Sequence, residues 1–97
     1  MRIDFQNNGG ELTVSLEGRL DTVTAPELEA FLTENAVGVS SLVFDCTSLA
    51  YVSSAGLRVL LAAHKKMKGA MKLTHVNELI TEVLEMTGFA DIWTIEA

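Results

Sequence analysis

Cysteine is almost absent from this chain of 97 residues: Cys46 stands alone, so no disulfide can form within the molecule. Its place beside an apolar run suggests a buried, inert thiol. Long apolar runs are missing as well. None approaches the roughly 18–20 residues that a membrane-spanning helix needs, and the opening MRIDFQNNGG lacks the apolar core of a signal peptide. The expected location is the cytoplasm, with no membrane partner. Basic residues are few: seven Lys and Arg against 13 Asp and Glu leave a net charge of −6, which disfavours non-specific binding to nucleic acid. There is no P-loop and no G-x-G-x-x-G. Ser54-Ala55-Gly56 matches only the end of G-x-S-x-G, because Val52 stands where the first glycine belongs. His64 and His75 are the only histidines, too few for a metal site of the usual kind. Together these absences point away from an enzyme and from a bound cofactor or metal.

What remains is an ordinary soluble composition, 48% hydrophobic and 21% charged, sized for one domain over residues 1–97. Arg2–Asn7 and Leu12–Glu17 alternate apolar and polar residues around Asn7-Asn8-Gly9-Gly10, a tight-turn signal. They read as two strands, expected to be antiparallel. Gly18–Thr22 reads as a loop. Thr24 and Glu27 form a capping box, with Pro26 in the first turn, for a helix whose inner stripe is Leu28, Phe31 and Leu32. Leu42-Val43-Phe44 lies in a short strand, Ser41–Cys46, buried on both faces. A loop is expected over Thr47–Ser53, then a helix with Leu57, Leu60, Leu61 and His64 inward. Met71–Thr74 reads as a strand. Asn77 caps a third helix with Leu79, Ile80, Val83 and Leu84 inward, closed by Gly88. Phe89, Ile92, Trp93 and Ile95 read as a packed end. Strands alternating with helices imply parallel pairing through right-handed crossovers. The expectation is an α/β domain with a mixed sheet of four to five strands and helices packed on it.

In such sheets the loops after the parallel strands share one rim, where ligands bind. Gly18–Thr24, Asp45–Ser54 and His75–Asn77 qualify, so Asp21, Asp45, Ser53 and Ser54 are expected on one edge. A serine before an apolar helix is as a rule an N-cap. It also stands where backbone N–H groups and the helix dipole favour negative charge. Arg58, Lys65, Lys66, Lys68 and Lys72 follow without an intervening acid. They read as a solvated helix face that an acidic partner surface could meet.

YVSSAGLRVLL, preceded by FDCTSL, resembles the signature of bacterial anti-sigma factor antagonists of the STAS superfamily. Gly18-Arg19-Leu20-Asp21 fits that family's Gly-x-Leu-Asp, and Ile80, Leu84, Gly88, Phe89 and Ile92 fit its last helix and closing turn. The resemblance implies partner switching. The dephosphorylated protein holds an anti-sigma factor that is also a serine kinase, and so frees a sigma factor for transcription. Phosphorylation releases the kinase, and a serine phosphatase resets the cycle. Aligned on Gly56, the phosphorylated serine falls on Ser54, with Ser53 as the alternative, since Ser53 occupies a position where many members carry aspartate. The expected partner contacts are Asp21, Thr22, Ser53, Ser54, Ala55, Gly56 and Arg58. Gly56 serves either close approach of a partner or tight helix–strand packing. A monomer is expected. The rival reading is a STAS subunit of a lipid or solute ABC transport complex, or another unphosphorylated assembly module.

Overall fold

The computed structural model describes residues 1–97. Strands β1 (Arg2–Asn8) and β2 (Glu11–Leu20) are followed by α1 (Ala25–Asn35), β3 (Ser41–Val52), α2 (Ser54–Lys66), β4 (Met71–Thr74) and α3 (Glu78–Thr87). A 3₁₀ turn (Phe89–Asp91) and β5 (Thr94–Ile95) end the chain. The sheet order is β1-β2-β3-β4-β5. Only the β1–β2 pair is antiparallel. These two strands are direct neighbours joined at Gly9 and Gly10, whose φ values of 61° and 95° are the positive pair that a two-residue hairpin turn demands.

The expected loop at Thr47–Ser53 is a strand for all but its last residue. β3 runs 12 residues to Val52 and pairs with β2 as far as Leu20. Two register shifts explain why the alternation failed as a signal. Ser15 faces Asp45 but Glu17 faces Ser48, and Gly18 faces Leu49 but Arg19 faces Tyr51. Each shift inserts one extra residue into β3, and each bulge resets which side chains point inward. Cys46, Leu49 and Val52 are therefore buried at intervals of three, a period that belongs to neither a regular strand nor a helix. The β2–β3 pairing continues to Val52, past the last β3–β4 pair at Asp45 and Thr74.

The core lies between the sheet and its helices. Leu12, Val14, Leu16 and Leu20 of β2 meet Leu42, Phe44, Leu49 and Val52 of β3 beneath Leu28, Leu57, Leu60, Ile80 and Leu84. Full burial of a leucine contributes roughly 1.5–3 kcal/mol, so β2 and β3 are the best-anchored elements. The helix stripes differ in detail from expectation. Phe31, Leu32, Leu61, His64 and Val83 are half-buried, whereas Leu79 and Ile92 are exposed. Val59, Ala63 and Trp93 are buried.

Candidate partner-binding site

Because β2 and β3 end side by side, their exits place Asp21-Thr22 next to Ser53-Ser54. The Ser53 amide donates to the Leu20 carbonyl at 2.8 Å, tying the two exits together. Ser53 then caps α2: its backbone is extended (φ −97°, ψ 175°) and its Oγ accepts from the Gly56 amide at 3.4 Å. Ser54 is the first residue of the helix and is exposed. The two adjacent serines thus differ in position. One is half-buried and holds the helix start, while the other faces solvent and takes no part in the cap.

Gly56 is buried against the end of β2. A Cβ on it would lie 2.7 Å from Leu20 Cγ and 2.9 Å from the Leu20 carbonyl oxygen, closer than real Cβ contacts come. Helix–strand packing therefore accounts for this glycine, and its burial leaves it no surface of its own to offer a partner.

The capping box expected at Thr24 is absent. Thr24 Oγ1 instead donates back to the Arg19 carbonyl at 2.6 Å and accepts from the Asp21 amide at 2.9 Å. Asp21 braces the turn that leads into α1: its Oδ1 accepts from the amides of Val23 and Thr24 at 3.0 and 3.1 Å, both ahead of the helix. The Ala25 amide reaches the Asp21 carbonyl at 2.8 Å. The Thr24 amide holds the Asp21 carboxyl below its ordinary value; desolvation opposes it, and Val23, the Thr24 hydroxyl and Arg19 add to the lowering. Arg19 also lies over the Tyr51 ring, 4.4 Å from its centroid.

Thr22, Ala55 and Arg58 line a cleft of about 250 Å³ between the first turns of α1 and α2, together with Ala25, Pro26, Glu29 and Val59. Of the residues expected to meet a partner, Asp21, Thr22, Ser53, Ser54, Ala55 and Arg58 thus share one corner of the molecule. Pro26, Glu29 and Val59 were not expected at the site, because only the crossing of the two helices brings α1 residues to the cleft beside Arg58.

Asp45 does not belong to this corner. It pairs across from Thr74 at the end of β4, seven residues before Val52, the last residue of β3, at ~3.3 Å of rise per residue. The rim is therefore stepped, with a lower level at Asp45 and an upper level at Asp21 and the serines. Asp45 Oδ1 accepts from the hydroxyl and amide of Thr47 at 2.6 and 3.0 Å and lies 3.4 Å from His75 Nδ1. The Thr47 hydroxyl is the main reason its carboxyl sits below the ordinary value; the Thr47 amide and His75 add to this and burial opposes it. Cys46 is buried, and desolvation, with the neighbouring Asp45 charge, pushes its thiol up to about 12. No three His, Cys, Asp or Glu side chains gather into a metal-binding group. No helix is long and apolar enough to cross a membrane.

The STAS domain model matches residues 2–97. BtrV of Bordetella bronchiseptica, provisionally named an anti-sigma factor antagonist, is 32% identical over 99 residues, covering 98% of this chain and 85% of the relative. The anti-sigma-B factor antagonist of Bacillus subtilis is 28% identical over 100 residues, covering 100% of this chain and 92% of the relative. Among solved structures, the anti-sigma factor antagonist SpoIIAA in its unphosphorylated form superposes with a TM-score of 0.74 at 15% identity, over 99% of this chain and 89% of that one. Its phosphorylated form superposes with a TM-score of 0.75 at the same identity, over 99% and 91%. At that identity the structural likeness bears on the fold alone. A five-stranded mixed sheet, a serine-capped helix packed on Leu20 through a glycine, and a family match along nearly its whole length place this chain in the STAS domain family, with anti-sigma factor antagonists among its relatives.

Proposed function

We propose that this chain is an anti-sigma factor antagonist switched by phosphorylation of Ser54. Unphosphorylated, it holds an anti-sigma factor that is also a serine kinase; phosphorylated, it lets go, and a serine phosphatase restores it. The cycle runs in the cytoplasm, and the nucleotide and metal belong to the partners. The observation that carries this reading is the division of labour between the two serines. Ser53 holds the helix start through Gly56, so Ser54 is exposed on a rigid platform and can be modified without cost to the cap.

The physics of the switch follows from that placement. Phosphoserine carries about −1.5 to −2 charges near neutral pH. At the first position of a helix of 13 residues a negative charge gains roughly 0.3–1 kcal/mol from the dipole, so the domain stays folded. A partner surface complementary to the neutral hydroxyl must instead desolvate a dianion. A loss of about 3 kcal/mol there weakens binding roughly a hundredfold.

Incubation with an anti-sigma kinase and ATP, followed by mass-spectrometric site mapping, tests the proposal. Phosphate is expected on Ser54, and Ser54→Ala is expected to bind the kinase without accepting phosphate. Ser54→Asp should keep its fold and lose affinity. Phosphate found on Ser53 in the Ser54→Ala chain would overturn the site, and undiminished affinity of Ser54→Asp would overturn the charge mechanism. Capture of a transporter ATPase in place of a kinase would favour the assembly-module reading.

A further inference from the structure

Arg58 is the cation nearest in sequence to Ser54 on α2 and stands four residues after it. Residues four apart on a helix are surface neighbours, about 5–6 Å between Cβ atoms. Both are exposed. The ion pairs of the molecule engage Arg2, Arg19 and Lys72, the His75 ring lies beside Asp45, and none of these contacts involves Arg58, although the chain has 13 acidic residues. Its guanidinium borders the cleft whose floor includes Ala25, Pro26, Ala55 and Val59. An uncommitted guanidinium over a small apolar floor suits a carboxylate carried on an otherwise apolar segment, because its planar fork can grip both oxygens.

We propose that Arg58 is the group for which partner and phosphate compete: in the unphosphorylated chain it takes a carboxylate from an acidic partner segment seated between α1 and α2, and in the phosphorylated chain it turns to the phosphate one helical turn back. This rests on Ser54 as the acceptor, and it adds a second cause of release. Phosphorylation does more than repel the partner: it also withdraws the guanidinium that held the partner's acid. Glu29 on the opposite wall sharpens the choice, since a carboxylate entering the cleft is opposed by that charge unless Arg58 is free to offset it. The same pairing keeps the phosphate close to the helix surface, so its effect is local and the fold is unchanged.

The test starts from a chain with phosphoserine placed at position 54 by translational incorporation, which makes it independent of any kinase. The ³¹P resonance is titrated in this chain and in its Arg58→Gln counterpart. The helix start is identical in both, so a difference reports the guanidinium. The second ionisation of the phosphate is expected to lie roughly 0.3 pH unit lower with Arg58 present, a shift of the size of an exposed pair one turn apart. In the unphosphorylated chain, Arg58→Gln is expected to weaken binding to the anti-sigma kinase about tenfold, with Arg58→Lys recovering only part of it. Equal titration curves, or unchanged kinase affinity in Arg58→Gln, overturn the shared role. Failure of a kinase to modify Ser54 in the native chain would instead sink the switch reading and leave the ³¹P result standing.

Discussion

Replacing Gly56 by alanine sets two opposing effects against each other, and the structure decides between them. Gly56 lies inside α2 with no positive φ to protect, so helix propensity alone predicts a gain of about 1 kcal/mol for alanine. Against this, the new methyl carbon would sit 2.7 Å from Leu20 Cγ, 2.9 Å from the Leu20 carbonyl oxygen and 3.0 Å from Leu20 Cδ2. The side-chain carbons can rotate, although Leu20 is fully buried. The carbonyl cannot swing aside without stretching its 2.8 Å bond from the Ser53 amide. Relief therefore requires α2 to retreat by about 0.5 Å, the difference between 2.9 Å and an ordinary 3.4 Å approach. A gap of that size forfeits roughly a quarter of the dispersion energy of the contacts it opens, including those of Leu57 and Leu60. Overpacking costs typically about 1–3 kcal/mol, so a net loss of up to about 2 kcal/mol is expected after the propensity gain of about 1 kcal/mol is subtracted. Urea melts followed by circular dichroism should show a lower midpoint at unchanged slope, and Tm should fall by roughly 4–8 °C for each kcal/mol. Ala62→Gly, at an exposed position of the same helix, calibrates the propensity effect alone. The reasoning is refuted if Gly56→Ala is as stable as the native chain or more so.

Loss of the Ser53 cap is the next expectation: Ser53→Ala should cost about 0.5–1 kcal/mol, towards the lower end because the bond to Gly56 is long at 3.4 Å. Thermal melts check this, and a loss beyond about 2 kcal/mol would show that Ser53 holds more than the helix start. Acid sensitivity follows from Asp21 and Asp45. Both carboxyls are held below the ordinary 3.8 in the folded chain, so their stabilising contribution is present above that value and fades as pH drops through the lower folded values. Asp21→Asn and Asp45→Asn should each flatten stability against pH below about 4, and a parallel downward offset at every pH would disprove the linkage. Cys46 should be silent towards thiol reagents at pH 8 in the native protein, since its ionisation is pushed up to about 12 and its side chain is buried. Modification should track unfolding across a denaturant series, and rapid reaction of the native chain would contradict that burial.

Much of the fold was legible because its signals are local. The Asn-Gly-Gly turn, the period-two strands at its flanks and the Asn77 cap, whose Oδ1 accepts from the Ile80 amide at 2.8 Å, are each written in fewer than ten residues. The β3 bulges were not legible, since a strand that inserts two extra residues buries every third side chain and leaves polar Thr47, Ser48 and Tyr51 looking like loop. The missing side-chain cap at α1 has a related cause. Thr24 is a good capping residue, but its hydroxyl is drawn back to the Arg19 carbonyl, which it reaches only once β2 has ended at Leu20.

The sequence by itself determined the order of strands and helices, the acceptor-type hydroxyl before an apolar helix and the family signature around it, because these depend on spacing along one short stretch. Tertiary structure decided which serine is free, why position 56 must lack a side chain and that Asp45 stands apart from the corner holding Asp21. Each of those outcomes depends on where β2 and β3 stop relative to one another, and that is set by core packing across residues some thirty positions apart.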